Sequence, residues 1–448
     1  MDQLAIQPFT KPVQGNLQIP GSKSITNRAL ILAALSDKEV ELEGCLLSED
    51  TRIMCKALQT LGIQLQVDEA TKKITILGCG TNWPVQEAEI HVGNAGTAAR
   101  FLTAMLCLKA GGTYHLDGTP AMRKRPMGGV LETLRKLGTD IECHETPDHF
   151  PFTLKTKGLP GGTWQTDASQ SSQILSALMM AAPHAEADVT VELLGSTVSK
   201  PFVSMTLEMM RQTGSNISGD GLSSTHIQHS GPNTPSNPWQ IEPDATAASY
   251  FLTLPALTGG SLTLPNLEPE MLQGDIGYVN ILQQIGLDAQ FTANGVVTTH
   301  TDSYVQLSGG NFDFNPISDT FLTLAAISPL LSSPTTITGI AHTRKQETDR
   351  VHAMATELRK LGQSVEETED SLHITPDKSA LLEVATNQPV VHTYEDHRVA
   401  MSFGILGSYD LLENGQSWLT IEDPNCCAKT YPHFFEELQN LHKEAHPS

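Results

Sequence analysis

LETLRKLG, residues 131–138, and ATELRKLG, residues 355–362, are near copies of one another in distant parts of a 448-residue chain. In each, apolar positions three and four apart mark one face of a helix. The glycine that follows suits the left-handed residue that closes it. Working outward, the same ending recurs in KALQTLG at Gly62, LEMMRQTG at Gly214 and ILQQIG at Gly286, so the five glycines are spaced by 76, 76, 72 and 76 residues. After each comes a strand-like stretch: IQLQV, TDIEC, SNISG, LDAQF and QSVEE. Several are followed by a second short strand, such as KKITIL or SLHIT.

In each interval, and again before the first glycine and after the last, lies a more uniformly apolar helix opened by a Ser, Asn or Asp cap. These are SKSITNRALILAAL, NAGTAARFLTAML, SQSSQILSALMMAA, DATAASYFLTLPAL, SDTFLTLAAISPLL and EDHRVAMSFGILGS. A helix that is apolar all round belongs inside a layer of other helices. Six units in a chain too long for one core predict an α/β (α+β) protein of two similar domains with three units each. The Pro, Ser and Asn-rich stretch around residues 229–243 marks the boundary. The early strand LAIQPF is expected to pair with the later domain, so residues 1–20 join 241–448 in one domain, and 21–240 form the other. The paired crossings near residues 20 and 240 predict a hinge.

Composition bounds the function. At 39% hydrophobic and 17% charged residues the chain is globular, and a net charge of −22 argues against the basic stripe that nucleic acid needs. No run of about 18 apolar residues offers a membrane span, and the start lacks a basic, then apolar, export signal. A cytoplasmic monomer free of membrane and nucleic-acid partners is expected. Seven cysteines without a CxxC pair read as reduced thiols, so no metal is expected. In so acidic a protein the few cations carry the information, because an anion site must gather them locally.

They gather at predicted helix starts. PGSKSITNR (20–28) sets Ser22, Lys23 and Ser24 where free backbone N–H groups favour an anion, with Arg28 one turn on. Its GSKS order does not match the GKS of a nucleotide-binding loop. GNAGTAAR (93–100) brings Asn94, Gly96 and Arg100 to the next apolar helix. MRKRPMG (122–128) stacks Arg123, Lys124 and Arg125 ahead of Pro126, taken as a first helical residue; a solvated loop and an anion trap fit it equally well. SQSSQ offers Ser171, Ser172 and Gln173, and VSKP offers Ser199. In the second half acids alternate with bases: Asp319, Glu347 with Arg350, Asp396 with His397 and Arg398, then Lys429. Each carboxylate taken alone is an ordinary cap or surface ion pair. Their recurrence at equivalent ends of repeated units puts them on one edge.

PGSKSxxNR, GNAGTAxR, a Met ahead of RP, SxSSQ, SKP, ETDR, YxDHRxAM and DPxCxxKTxP, in this order over residues 20–432, resemble the enolpyruvyl transferase family. The resemblance implies its fold, an inside-out α/β barrel of two domains, each of three βαβαββ units, that close on the substrates. It implies transfer of an enolpyruvyl group from phosphoenolpyruvate to the 5-hydroxyl of shikimate 3-phosphate by addition and elimination, without cofactor or metal. By motif, Lys23, Gly96, Arg125, Gln173, Arg350, Arg398 and Lys429 would surround phosphoenolpyruvate, with Asn94 beside them. Lys23, Ser24, Arg28, Ser171, Ser172 and Ser199 would hold shikimate 3-phosphate, with His342 and Gln346. Asp319 would bond the ring hydroxyls, Glu347 and Lys23 would move protons, and His397 joins the catalytic set. A related transferase acting on a UDP-amino sugar typically has a cysteine in the loop before RP, and GTPAMRKRP has none. A non-catalytic anion binder would not need Asp319, Glu347 and Lys429 together. Three departures stand out: Phe202 replaces a common Tyr, His342 a usual Asn, and Gln346 a usual Lys. Arg344 or Lys345 is expected to replace the lost cation.

Overall fold

The computed structural model describes residues 2–301 and 306–447. It divides into a continuous unit, Gly21–Glu242, and a discontinuous unit that joins Met1–Pro20 to Pro243–Ser448. The boundary falls at 242/243 because Trp239 and Gln240 form a strand that pairs in parallel with Leu42 and Glu43. The tail of the supposed linker is therefore part of a sheet.

The continuous unit contains helices α1 (Lys23–Ala34), α2 (Glu49–Thr60), α3 (Gly96–Leu106), α4 (Pro120–Arg123), α5 (Gly128–Lys136), α6 (Ser172–Ala181) and α7 (Lys200–Gln212). Its three sheets each have four strands. In one of them, Glu87–His91 runs parallel to Ala110–Asp117 with α3 as the crossover, and Asp140–Cys143 and Phe152–Lys157 complete it antiparallel. Alternating burial along Glu87–His91 shows one face inward and one outward, as a sheet covered on one side requires.

The discontinuous unit contains α8 (Ala245–Thr258), α9 (Tyr278–Gln284), α10 (Phe321–Ile327), α11 (Arg350–Lys360), α12 (Lys378–Ala385), α13 (His397–Gly407) and α14 (Phe434–Ala445). Among the described residues two of its sheets have four strands and one has three. Both chain segments build it: Val13–Asn16 pairs in parallel with Gly260–Leu264, and Gln3–Ala5 antiparallel with Thr420–Glu422. Among the described residues no helix is long and apolar enough to cross a membrane.

The apolar helices lie inside. All eleven residues of α3 and all eleven of α13 are buried, which is why neither shows a polar face. The repeat glycines have the backbone that the helix ends demand, with φ of 82°, 97°, 96°, 98° and 80° at Gly62, Gly138, Gly214, Gly286 and Gly362. Side-chain caps are made by Ser22, Ser171, Asp244 and Asp396. The expected caps at α3 and α10 are not: Ala95 and Thr320 stand there without a side-chain bond to the N–H groups of the helix they precede. The fifth apolar segment breaks into a 3-10 turn at Asn315–Thr320, with Ile317 out of helical geometry, before α10 begins. Pro126 precedes α5 by two residues instead of opening it, and Ser199 precedes α7 in a left-handed conformation, φ 51°.

Candidate active site

In the continuous unit the predicted residues gather at two pairs of helix starts. Gln173, second in α6, donates to Thr97, second in α3, at 3.1 Å, and accepts from Arg100 at 3.3 Å. Ser171 caps the same end of α6 by accepting from the N–H of Gln173 at 3.3 Å, and Ser172 beside it is buried. Lys23, first in α1, lies 3.4 Å from Asp50, second in α2. Ser24 is half-buried beside it.

Gly96 is the point where this edge is tightest. Arg125 donates to the carbonyl of Asn94 at 3.4 Å, and Arg100 to the carbonyl of Gly96 at 3.0 Å. A Cβ on Gly96 would meet Arg125 Nη2 at 2.5 Å and Arg100 Nη1 at 2.9 Å. Two guanidinium groups thus lie against a bare Cα at a helix start that no side chain caps, an arrangement that favours an anion. The Nε of Arg125 is buried and bonds nothing among the described residues. Such an atom calls for a partner from outside the chain. Of the three adjacent cations, Arg123 is spent on Asp117, at 2.9 and 2.6 Å, and on Glu145, at 2.7 Å. Only Arg125 turns to the glycine.

Arg28 is placed deeper than the sequence suggested. It is 1% exposed and donates to the Ser24 carbonyl, Ser176, Thr206 and the Phe202 carbonyl. The Phe202 and Phe101 rings face it at 5.9 and 5.2 Å. Burial pushes its pKa down to about 9. It ties α1 to α6 and α7, and Phe202, lacking a hydroxyl, packs on it instead of bonding outward.

In the discontinuous unit the ionic residues form one connected network. Arg350 opens α11 and donates from Nε to Asp396 at 2.7 Å, from Nη1 to Asp319 at 3.0 Å and to Gln346, and from Nη2 to Glu347 at 2.8 Å and Asp396 at 3.4 Å. Arg398 reaches Asp319 at 2.9 Å and the Tyr250 hydroxyl at 3.4 Å, and Lys429 reaches Glu347 at 3.1 Å. Burial opposes the charge on Arg350, but Asp396, Glu347 and Asp319 outweigh it and hold the group above its ordinary value. For Arg398 burial likewise loses, to Asp319 and then Tyr250. The Arg398 Nε, like that of Arg125, is buried and without a bond among the described residues.

The sequence had marked His342, Gln346 and His397 as well. His342 bonds Ser318 at 2.8 Å, and burial lowers its pKa against the pull of Asp319 and Asp370. Gln346 donates to Asp319 at 3.3 Å, joining the network as a neutral member. His397 is fully buried, 3.7 Å from Asp396. The expectation that Arg344 supplies a missing cation does not hold: it is spent on Asp349 at 2.8 Å, Glu367 at 3.0 Å and the carbonyls of Thr368 and Glu369. Lys345 is exposed. The motifs missed Asp275 altogether. Its buried carboxyl takes a 2.7 Å bond from Thr246 and is pushed up to about 7 by burial and then by Asp319. Among the described residues no cluster of His, Cys, Asp and Glu could hold a metal.

Comparison with known proteins completes the picture. The family model for EPSP synthase (3-phosphoshikimate 1-carboxyvinyltransferase) matches residues 8–438. A 3-phosphoshikimate 1-carboxyvinyltransferase from Opitutus terrae is 47% identical over 447 residues, covering 99% of this chain and 98% of the relative. One from Trichormus variabilis is 39% identical, covering 97% and 98%. Among solved structures, an EPSP synthase from Acinetobacter baumannii superposes with a TM-score of 0.77 at 24% identity, covering 98% of each chain. An enolpyruvyl transferase from Streptomyces tendae gives 0.73 at 16%, covering 98% and 97%, and these two likenesses speak for the fold. Match along nearly the whole length, at these identities, places the chain in the EPSP synthase (3-phosphoshikimate 1-carboxyvinyltransferase) family.

Proposed function

We propose that this protein transfers the enolpyruvyl group of phosphoenolpyruvate to the 5-hydroxyl of shikimate 3-phosphate, releasing phosphate. The observation that carries the reading is Glu347, held between Lys429 at 3.1 Å and Arg350 at 2.8 Å, with Asp319 bound to the same guanidinium. The reaction needs a group that moves a proton to and from C3 of the donor, and another that receives the proton of the attacking hydroxyl. Two carboxylates fixed by cations supply both. Addition forms the bond from the 5-oxygen to C2 as C3 gains a proton. Elimination returns that proton and expels phosphate with its electron pair.

Cations around a small polyanion offset its desolvation and stabilise charge in transit. Lys23, Arg125, Arg398 and Lys429 serve the donor, with Asn94, Gly96 and Gln173 shaping its seat. Arg350 has all five N–H donors committed, so a donor carboxylate reaches it by displacing Gln346, the one neutral partner. Ser24, Ser171, Ser172, Ser199 and His342 serve the acceptor, with Arg28 setting the helices that carry them. Asp319 orients the ring hydroxyls.

Purified protein is expected to release phosphate from phosphoenolpyruvate only when shikimate 3-phosphate is present. Glu347→Gln should fold normally and lose most of that rate. Equal rates for the variant and the parent would refute the role of Glu347.

A further inference from the structure

The turn Gln273–Gly274–Asp275 lies outside every motif segment and grips the start of α8. Buried Gln273 accepts from the N–H of Ala245 at 3.0 Å and donates to the Pro243 carbonyl at 2.6 Å. Asp275, 5% exposed, takes the 2.7 Å bond from Thr246, the second residue of α8. One turn further along α8, Tyr250 holds Arg398, and Ser249 bonds Thr323 of α10 at 3.0 Å. Arg398 ends on Asp319. A continuous path of packed helix and hydrogen bonds, from 2.7 Å at Thr246 to 3.4 Å at Tyr250, thus joins the Asp275 carboxyl to a carboxylate and a cation of the proposed site.

A second route is direct. The field at Asp275 comes from Asp319 in the turn before α10, Asp244 at the cap of α8 and Arg398 of α13. The other titratable groups on elements packed against the turn are Tyr250 of α8 and Tyr278 of α9, both buried. A carboxyl buried beside a working carboxylate is costly when ionised, and an amide would accept the Thr246 bond equally well. The uncharged carboxyl is therefore the form that fits this position. Burial and Asp319 push its pKa up to about 7, while Thr246 and Arg398 pull it down.

We infer that Asp275 is a positioning residue for the transfer reaction: through Thr246 and α8 it sets Arg398 against Asp319, and it does so as an uncharged carboxyl. The inference rests on the function proposed above. When Asp275 ionises, a second negative charge faces Asp319, which raises the proton affinity of Asp319 and draws Arg398 away from an anionic donor.

The test compares the parent with Asp275→Asn, which keeps an acceptor for Thr246 but cannot ionise, and with Thr246→Val. In kcat/KM measured from pH 5.5 to 9, the parent should decline through an ionisation near 7. Asp275→Asn should lose that decline, and Thr246→Val should keep it at a level about tenfold lower throughout. Superimposable profiles of parent and Asp275→Asn would overturn the inference. Should Asp275→Asn fail to fold, Asp275→Ser takes its place in the same comparison.

Thermal melting gives a reading free of activity. A folded pKa raised above the unfolded carboxylate value means that stability from Asp275 is whole at low pH and is lost as pH rises through about 7. The Tm of Asp275→Asn should therefore gain on the parent between pH 5 and 8, and a constant difference counts against the inference. An inactive parent would sink the proposed reaction and leave the melting comparison to decide the charge state of Asp275.

Discussion

Replacing Gly96 with alanine puts one methyl group between two cations, and the structure gives the size of the disturbance. The new Cβ would stand 2.5 Å from Arg125 Nη2 and 2.8 Å from its Cζ, where an ordinary contact needs roughly 3.5 Å. Arg125 must retreat by about 1 Å, because its end is flexible and the backbone of α3 is not. Charge-assisted hydrogen bonds are short, and losing one is worth about 1.5–3 kcal/mol. At about 1.4 kcal/mol per decade, kcat/KM for the donor should fall by about 10- to 150-fold. The fall should appear in KM for phosphoenolpyruvate and spare KM for shikimate 3-phosphate. Folding should not suffer: Gly96 opens α3 without a positive φ, so alanine fits its backbone, and the atoms the Cβ meets are the ends of flexible side chains. Steady-state kinetics with each substrate varied in turn, together with a melting curve, decide the matter. Unchanged KM for the donor, or a Tm lowered by several degrees, would refute the reasoning.

Three further outcomes follow from burial and charge. Arg350→Met should cost about 3–5 kcal/mol in urea unfolding, since Asp396, Asp319 and Glu347 lose a common cation; a cost below 1 kcal/mol would show that they do not depend on it. Thr206→Val removes the 2.7 Å acceptor from the Nε of buried Arg28 and should cost about 1–3 kcal/mol, and a neutral result would mean that the guanidinium re-pairs. Burial, with His229 nearby, pushes His184 down to about 4. A lowered folded pKa means stability is present above the unfolded value near 6.5 and is lost as pH falls toward 4, so His184→Asn should flatten that decline in urea midpoints. An unaltered slope would remove His184 from the account.

Much of the architecture was legible because repetition is a property of the chain itself. The glycine after each amphipathic helix is required locally by a left-handed backbone, so Gly62, Gly138, Gly214, Gly286 and Gly362 announce the units without reference to tertiary contact. Uniform apolarity likewise announces α3 and α13 as buried, since no helix hides all its residues except among others. The reading was weaker where a strand is completed from far away. Trp239 and Gln240 look like linker because the strand they pair with is almost two hundred residues earlier.

The chemistry divides along the same line. Residue types at helix starts, and so the candidates Lys23 and Gly96, were readable in the sequence because capping and anion binding act over a few residues. Asp319 and Glu347 fall in the turns before α10 and α11, and Lys429, expected at a helix start, closes a 3-10 turn instead. Which cation turns inward was not. Arg123 and Arg125 are two positions apart, yet one is neutralised by Asp117 and Glu145 while the other lies on Gly96. Arg344 is drawn off by Asp349 and Glu367 in the same way. Asp275 carries no motif at all, and its importance arises only when folding brings its buried carboxyl into the field of Asp319. Local backbone requirements are written along the chain, but the sign and strength of an electrostatic interaction depend on distance and burial, and only the folded chain sets those.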